Sequence, residues 1–248
     1  MKLDLSGKSY IVTGGSSGIG AATSRLLADN GATVLAVSRR PNPETAKGVP
    51  NIRLFAADLA DSANVPGIID AAIEGGDGID GIVHAGGHFT HAPLAEATAE
   101  EIDALWQVHV RTPYLLTQAA LPHLTEGSSL VFVSSTVART GFAPYAAYTA
   151  VKGAVDALSR SLAMELAPRT RVNTLMPGFT ATPMMGVQYE GADGLEEAIR
   201  VRTPLGHIGG PEYAASVVGL LLSDEAAYTT ASTVVVDGGW SGQGWQSS

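Results

Sequence analysis

The sequence predicts one doubly wound α/β domain, residues 1–248, with a seven-stranded parallel sheet covered by helices on both faces. Three observations point there. The strand-like runs are short and continuously apolar, as strands buried on both faces must be. They alternate with longer helical patterns. No Pro/Ser-rich linker, charge block or internal repeat divides the chain, and the Pro-rich patch at 40–43 is too short to be a linker.

In chain order, residues 10–12 form the first strand and run into a glycine loop, followed by an Ala/Leu-rich helix over 19–30. Residues 33–37 and 52–56 supply the second and third strands, and 82–83 lie in a fourth. The fifth, sixth and seventh fall at 130–133, 171–175 and 233–236. Helical patterns over 99–124, 146–166 and 211–222 fill the gaps. The longest irregular stretch, about 183–211, is rich in Gly and Met and is expected to form a substrate loop, since long loops in compact domains often act as lids or binding loops.

Composition removes whole classes of function. With no cysteine, there is no disulfide scaffold, thiolate metal site or cysteine nucleophile. A net charge of −9 argues against a nucleic-acid partner, which would need clustered Lys and Arg. No apolar run reaches the roughly 18 residues of a spanning helix, and the first eight residues lack an apolar signal core. A soluble, cytoplasmic protein without membrane or nucleic-acid partners is expected.

Thr13-Gly14-Gly15-Ser16-Ser17-Gly18-Ile19-Gly20 follows the first strand and opens the first helix. A pyrophosphate over that helix N-terminus needs backbone amides that only glycine lets it approach. The strict G-x-G-x-x-G spacing fails, because Thr23 stands at its last place; a longer G-x-x-x-G-x-G loop stands instead.

The motifs continue in order through Asp58-Leu59, Gly86-Gly87, Ser135, Tyr148-x-x-x-Lys152, Asn173, Pro177-Gly178 and Asp237-Gly238-Gly239. Over essentially its whole length the chain resembles the short-chain dehydrogenases/reductases. The resemblance implies a single Rossmann-type domain, a nicotinamide cofactor, and oxidoreduction between a carbonyl and an alcohol. By that resemblance Gly14, Ser16, Ser17, Gly18, Ile19 and Gly20 hold the cofactor phosphates, and Asp58 with Leu59 lies near the adenine. Ala85, Gly86 and Gly87 bring backbone to the adenosine ribose, and Pro177, Gly178, Thr180 and Thr182 fold over the nicotinamide.

The end of the second strand reads Val37-Ser38-Arg39-Arg40. An acid there would take hydrogen bonds from a ribose 2′-hydroxyl. Ser38 and the forked guanidinium of Arg39 instead suit a 2′-phosphate, so NADP(H) is expected over NAD(H). The opposing reading leaves both arginines in solvent.

Tyr148 and Lys152, four apart on a helix, share one face. A free tyrosine ionises near pH ~10, and an ammonium nearby favours the phenolate and brings acid–base work toward neutral pH. Tyr145 lacks a lysine at its fourth following position, so spacing selects Tyr148. Ser135, thirteen residues upstream of Tyr148, stands at the family's usual interval; Ser134 is its competitor. The resemblance makes Ser135 orient the carbonyl, Tyr148 the acid/base, and Lys152 the holder of the nicotinamide ribose, with Tyr148 beside the cofactor as well.

Two departures stand out. His109 occupies the place where the family carries an Asn that holds a relay water; it either carries the proton or merely fills the bend. His84-Ala85 replaces two amide side chains. His84, His88 and His91 invite a metal reading, but Gly86-Gly87 breaks their helical spacing and no further ligand completes a shell.

His88, Phe89, Phe142, Tyr145, Met184 and Met185, with Val187 and Tyr189 following, suggest a mainly apolar pocket, although several could simply pack the loop. No Lys/Arg cluster lines these segments, which speaks against a polyanionic substrate. The expectation is a small-molecule ketone or secondary alcohol, cyclic or aromatic. Imine reduction or a non-redox step on the same fold, and a non-catalytic NADP-binding protein, are the alternatives. By resemblance the chain forms a homotetramer or homodimer; separately, the exposed-looking Trp240 and Trp245 either are covered by a neighbouring subunit or lie on a tail loose in solvent.

Overall fold

A computed structural model describes residues 3–74, 76, 78–188 and 194–242. Its strands are β1 (Ser9–Thr13), β2 (Thr33–Ser38), β3 (Ile52–Ala56), β4 (Ile79–His84), β5 (Leu124–Val133), β6 (Thr170–Pro177) and β7 (Thr233–Val236). They form one sheet in the order β3-β2-β1-β4-β5-β6-β7, parallel throughout. The helices are α1 (Gly18–Asp29), α2 (Pro43–Ala46), α3 (Val65–Ile73), α4 (Ala99–Trp106), α5 (Thr112–Ala120), α6 (Val137–Thr140), α7 (Ala146–Leu166), α8 (Pro183–Gln188), α9 (Leu195–Arg202) and α10 (Pro211–Leu222).

Alternate strand residues feed two separate cores, as a period of two requires. Ile11, Leu35, Ile82 and Phe132 pack with Ile68 of α3, Leu105 of α4, Leu116 of α5 and Val155 of α7. On the other face Tyr10, Val12, Val34 and Val131 pack with Leu27 of α1 and Val218 and Leu221 of α10. Helices on both faces thus bury the sheet, which is why its strands read as continuous apolar runs. Strand order reverses between β1 and β4, so a crevice opens beyond their carboxyl ends, where ligands of such sheets bind.

Three expectations change. The helix expected over 99–124 is interrupted: residues 107–111 make a π-helical turn, in which the Thr112 N–H donates to the Gln107 carbonyl. Pro113 explains it, because proline has no N–H to give to the His109 carbonyl one α-helical turn back. The stretch after residue 183 is not all irregular, since it holds α8 and α9; Tyr189 lies outside the described residues, as does the side chain of Val187. Trp240 is not exposed. It sits on a short 3₁₀ turn (Trp240–Gly242), keeps 5% of its surface, and packs within its own chain against Phe179 and Phe142. Trp245 lies outside the described residues. Among the described residues, no helix is long and apolar enough to cross a membrane.

Candidate active site

The crevice is a cleft of about 760 Å³, lined from the glycine loop at one end to Phe142, Phe179 and Trp240 at the other. Backbone builds the first end. Gly14 has φ +71°, and a Cβ on it would lie 2.8 Å from the Ala85 carbonyl oxygen. A Cβ on Gly20 would collide with the Gly14 carbonyl. The Thr13 hydroxyl donates to the Val83 carbonyl at 3.3 Å and accepts from the Gly86 N–H at 3.0 Å. These contacts clamp the β1 loop against the β4 turn.

Ser17 precedes α1 without capping it through its side chain, and no acid occupies the first helical turn. The first N–H groups are therefore left for an anion. At the end of β2, Ser38 is buried, lines the cleft, and its hydroxyl has no hydrogen-bond partner. Arg39 and Arg40 line the same edge, exposed. A buried hydroxyl without a partner is costly, so this corner suits a ligand that fills it. Asp58 lines the cleft too, with its carboxylate accepting the Ala60 N–H at 2.9 Å. The residues present fit a dinucleotide, and the Ser38–Arg39 edge fits a phosphorylated ribose.

At the centre, Ser134 and Ser135 part company. The Ser134 hydroxyl donates to the Lys152 carbonyl at 2.7 Å and is buried. Ser135 accepts the Val137 N–H at 3.4 Å, which leaves its own proton to donate into the cleft. Tyr148 and Lys152 line the same space. The Lys152 ammonium donates to the Val133 carbonyl at 2.9 Å and lies 5.5 Å from the centre of the Tyr148 ring.

Burial, rather than the lysine charge, dominates both groups. It pushes the Tyr148 phenol above its ordinary range and pulls the Lys152 amine down to about 7. The lowering of the phenol toward neutral pH that the spacing predicts is therefore not what the structure gives: burial raises it instead.

His109 is buried, and its Nε2 lies 2.7 Å from the His88 carbonyl. A carbonyl only accepts, so Nε2 carries the proton. Burial holds the ring well below the ordinary histidine value, helped by the Lys152 charge, so it is neutral at pH 7. A Cβ on Gly87 would run into the His109 ring. The ring stands edge-on to Tyr148, with centroids 5.7 Å apart. His84 is separate: it is buried in the interior against Phe132 and bonded to Thr117, with burial lowering it to about 3.

The far end is aromatic. Phe89 touches Tyr148, Tyr145 and His91, and Phe142 bridges Tyr145 to Phe179 and Trp240. His88, Met184 and Met185 line the cleft. Thr182 accepts the Met185 N–H at 3.4 Å and abuts Gly18 of the glycine loop. Pro177, Gly178 and Thr180 line the wall between the two ends.

Sequence reasoning missed Phe179 and Trp240. Phe179 stands inside the Pro177-Gly178 loop and was legible from it. Trp240 carried no such signal, because its position depends on Asp237. That carboxylate accepts the Gly239 and Ser241 N–H groups at 2.8 and 2.7 Å, and a Cβ on Gly178 would lie 2.5 Å from the Asp237 Cβ.

The sequence matches a family profile described as enoyl-(acyl carrier protein) reductase over residues 14–241. It is 34% identical to a 3-oxoacyl-[acyl-carrier-protein] reductase of Thermotoga maritima, over 95% of this chain and 98% of that protein. Identity is 32% with an NADP-dependent (R)-specific alcohol dehydrogenase of Lentilactobacillus kefiri, over 96% of this chain and 98% of that one. The fold superposes with a TM-score of 0.87 on a short-chain dehydrogenase from Burkholderia cenocepacia, solved in complex with NADP, at 32% identity over 94% of this chain and 98% of the other.

Proposed function

The chain belongs to the short-chain dehydrogenase/reductase family, and from that premise we propose that it is an NADP(H)-dependent reductase of cyclic or aromatic ketones. The observation that carries this reading is the convergence of Ser135, Tyr148 and Lys152 on one cleft that ends in an aromatic wall.

The glycine loop with Ser16, Ser17 and Ile19 would hold the phosphates, Ser38 and Arg39 the 2′-phosphate, and Leu59, Ala85, Gly86 and Gly87 the adenosine. NADPH supplies hydride when bound. Ser135 donates a hydrogen bond to the carbonyl oxygen. Tyr148, kept protonated by its burial, delivers its proton to that oxygen as negative charge grows there. Lys152 sits close enough to stabilise the phenolate left behind.

His109 acts by position. A relay through both ring nitrogens would have to break the bond to the His88 carbonyl, whereas the intact bond holds His88 and Phe89 in place beside Tyr148.

The test is loss of nicotinamide absorbance with NADPH and with NADH, against cyclic, aromatic and aliphatic ketones. Tyr148→Phe should lower kcat by about 10²–10⁴-fold while NADPH binding survives. Undiminished turnover by Tyr148→Phe sinks the mechanism.

A further inference from the structure

We propose that Trp240 is the specificity-determining wall of the substrate end, and that it sets how large a flat ketone the cleft admits. The proposal rests on the reductase reading above and deepens it. Trp240 comes from the far C-terminal part of the chain, yet it lines the same cleft as Tyr148. It stands edge-to-face with Phe179 at 5.3 Å and tilted to Phe142 at 6.2 Å. Phe142 leans on Tyr145, which leans on Phe89, whose ring meets Tyr148 at 5.0 Å. The aromatic chain therefore runs without a break from the proton-donating ring to Trp240.

The indole is fastened from outside the cleft. Asp237 anchors its turn through the Gly239 and Ser241 N–H groups. The Arg202 guanidinium of α9 lies over the indole, 4.5 Å from its centre. Pro204 packs against the turn just before the indole, 3.0 Å from where a Cβ on Gly239 would lie. A side chain held from several directions is a wall rather than a flap. Aromatic faces on that wall prefer a flat apolar ring to a charged or extended substrate.

The test compares kcat/KM for cyclohexanone and for the fused two-ring ketone 2-tetralone in wild type, Trp240→Phe and Trp240→Ala, with NADPH affinity measured by fluorescence titration. Opening the wall should raise the 2-tetralone to cyclohexanone ratio about tenfold in Trp240→Ala, with Trp240→Phe between, and leave NADPH affinity unchanged. Should Trp240→Ala fail to fold, Trp240→Phe must still shift the ratio in the same direction. An unchanged ratio in an enzyme whose turnover depends on Tyr148 overturns the wall alone. Loss of NADPH affinity overturns it also, because Trp240 would then belong to the cofactor. A wild type that reduces neither ketone overturns the reductase reading and the wall together.

Discussion

The two ends of the cleft are made of different material. The end we assign to the cofactor is backbone: Gly14 and Gly20 pass so close to neighbouring main chain that no side chain fits, and α1 presents uncapped N–H groups. The end assigned to substrate is side chain, an aromatic row drawn from the β4 turn, the segment before α7, the Pro177 loop and the C-terminal turn. A ligand common to many enzymes can be met by backbone, whose geometry is the same whatever the sequence. A particular substrate has to be met by side chains, which can be exchanged without disturbing the sheet.

The sharpest way to break this contrast is to put a side chain where backbone is required. Gly20→Ala drives a methyl group into the Gly14 carbonyl and displaces the loop. NADPH affinity should fall by about a hundredfold, read by fluorescence titration, with circular dichroism to show that the sheet persists. An alanine there that binds NADPH normally would mean that the close approach is not needed.

A smaller effect sharpens the boundary between the two materials. Ser38 places a buried, unpartnered hydroxyl at the proposed 2′-phosphate corner. Ser38→Asp puts a negative charge against that phosphate, and would accept a hydrogen bond from a bare 2′-hydroxyl. The ratio of kcat/KM with NADPH to that with NADH should fall at least about tenfold. If the ratio holds, the 2′ position is read elsewhere.

The contrast also explains what the sequence made legible. Glycine spacing, and Tyr148 with Lys152 one helical turn apart, are demands that recur at fixed intervals along the chain, so they can be seen in one dimension. The choice between Ser134 and Ser135 cannot, because it turns on where the α7 backbone places the Lys152 carbonyl. Trp240 is harder still: it reaches the cleft only because Asp237 folds the C-terminal turn against Gly178. The π-helical turn had a visible cause in Pro113, but a reading based on apolar periodicity runs across a single missing hydrogen bond. The seven strands were legible for the opposite reason, since burial on both faces leaves a continuous apolar mark in the sequence.

Where the two ends meet, Lys152 yields the subtlest test. Its amine is drawn down to about 7 in the folded protein by burial, against an ordinary value near 10.4 in the unfolded chain. Below pH 7 both states are protonated, and the folded state bears the full cost of a buried ammonium. Between about 7 and 10 the unfolded chain holds more protons than the folded one, so rising pH stabilises the fold, by at most about 1.4 kcal/mol per pH unit. Tyr148, whose folded value is raised, opposes this only above pH ~10, where an unfolded tyrosine begins to ionise. The histidines lowered by burial, His84, His88 and His109, act below pH ~6.5. Cofactor-free wild type should therefore gain Tm from pH 7 to pH 10, and Lys152→Met should flatten that rise while being the more stable protein at pH 7. A rise that survives in Lys152→Met would place the titrating group elsewhere, and Lys152 would then be a fully charged lysine held by the Val133 carbonyl alone.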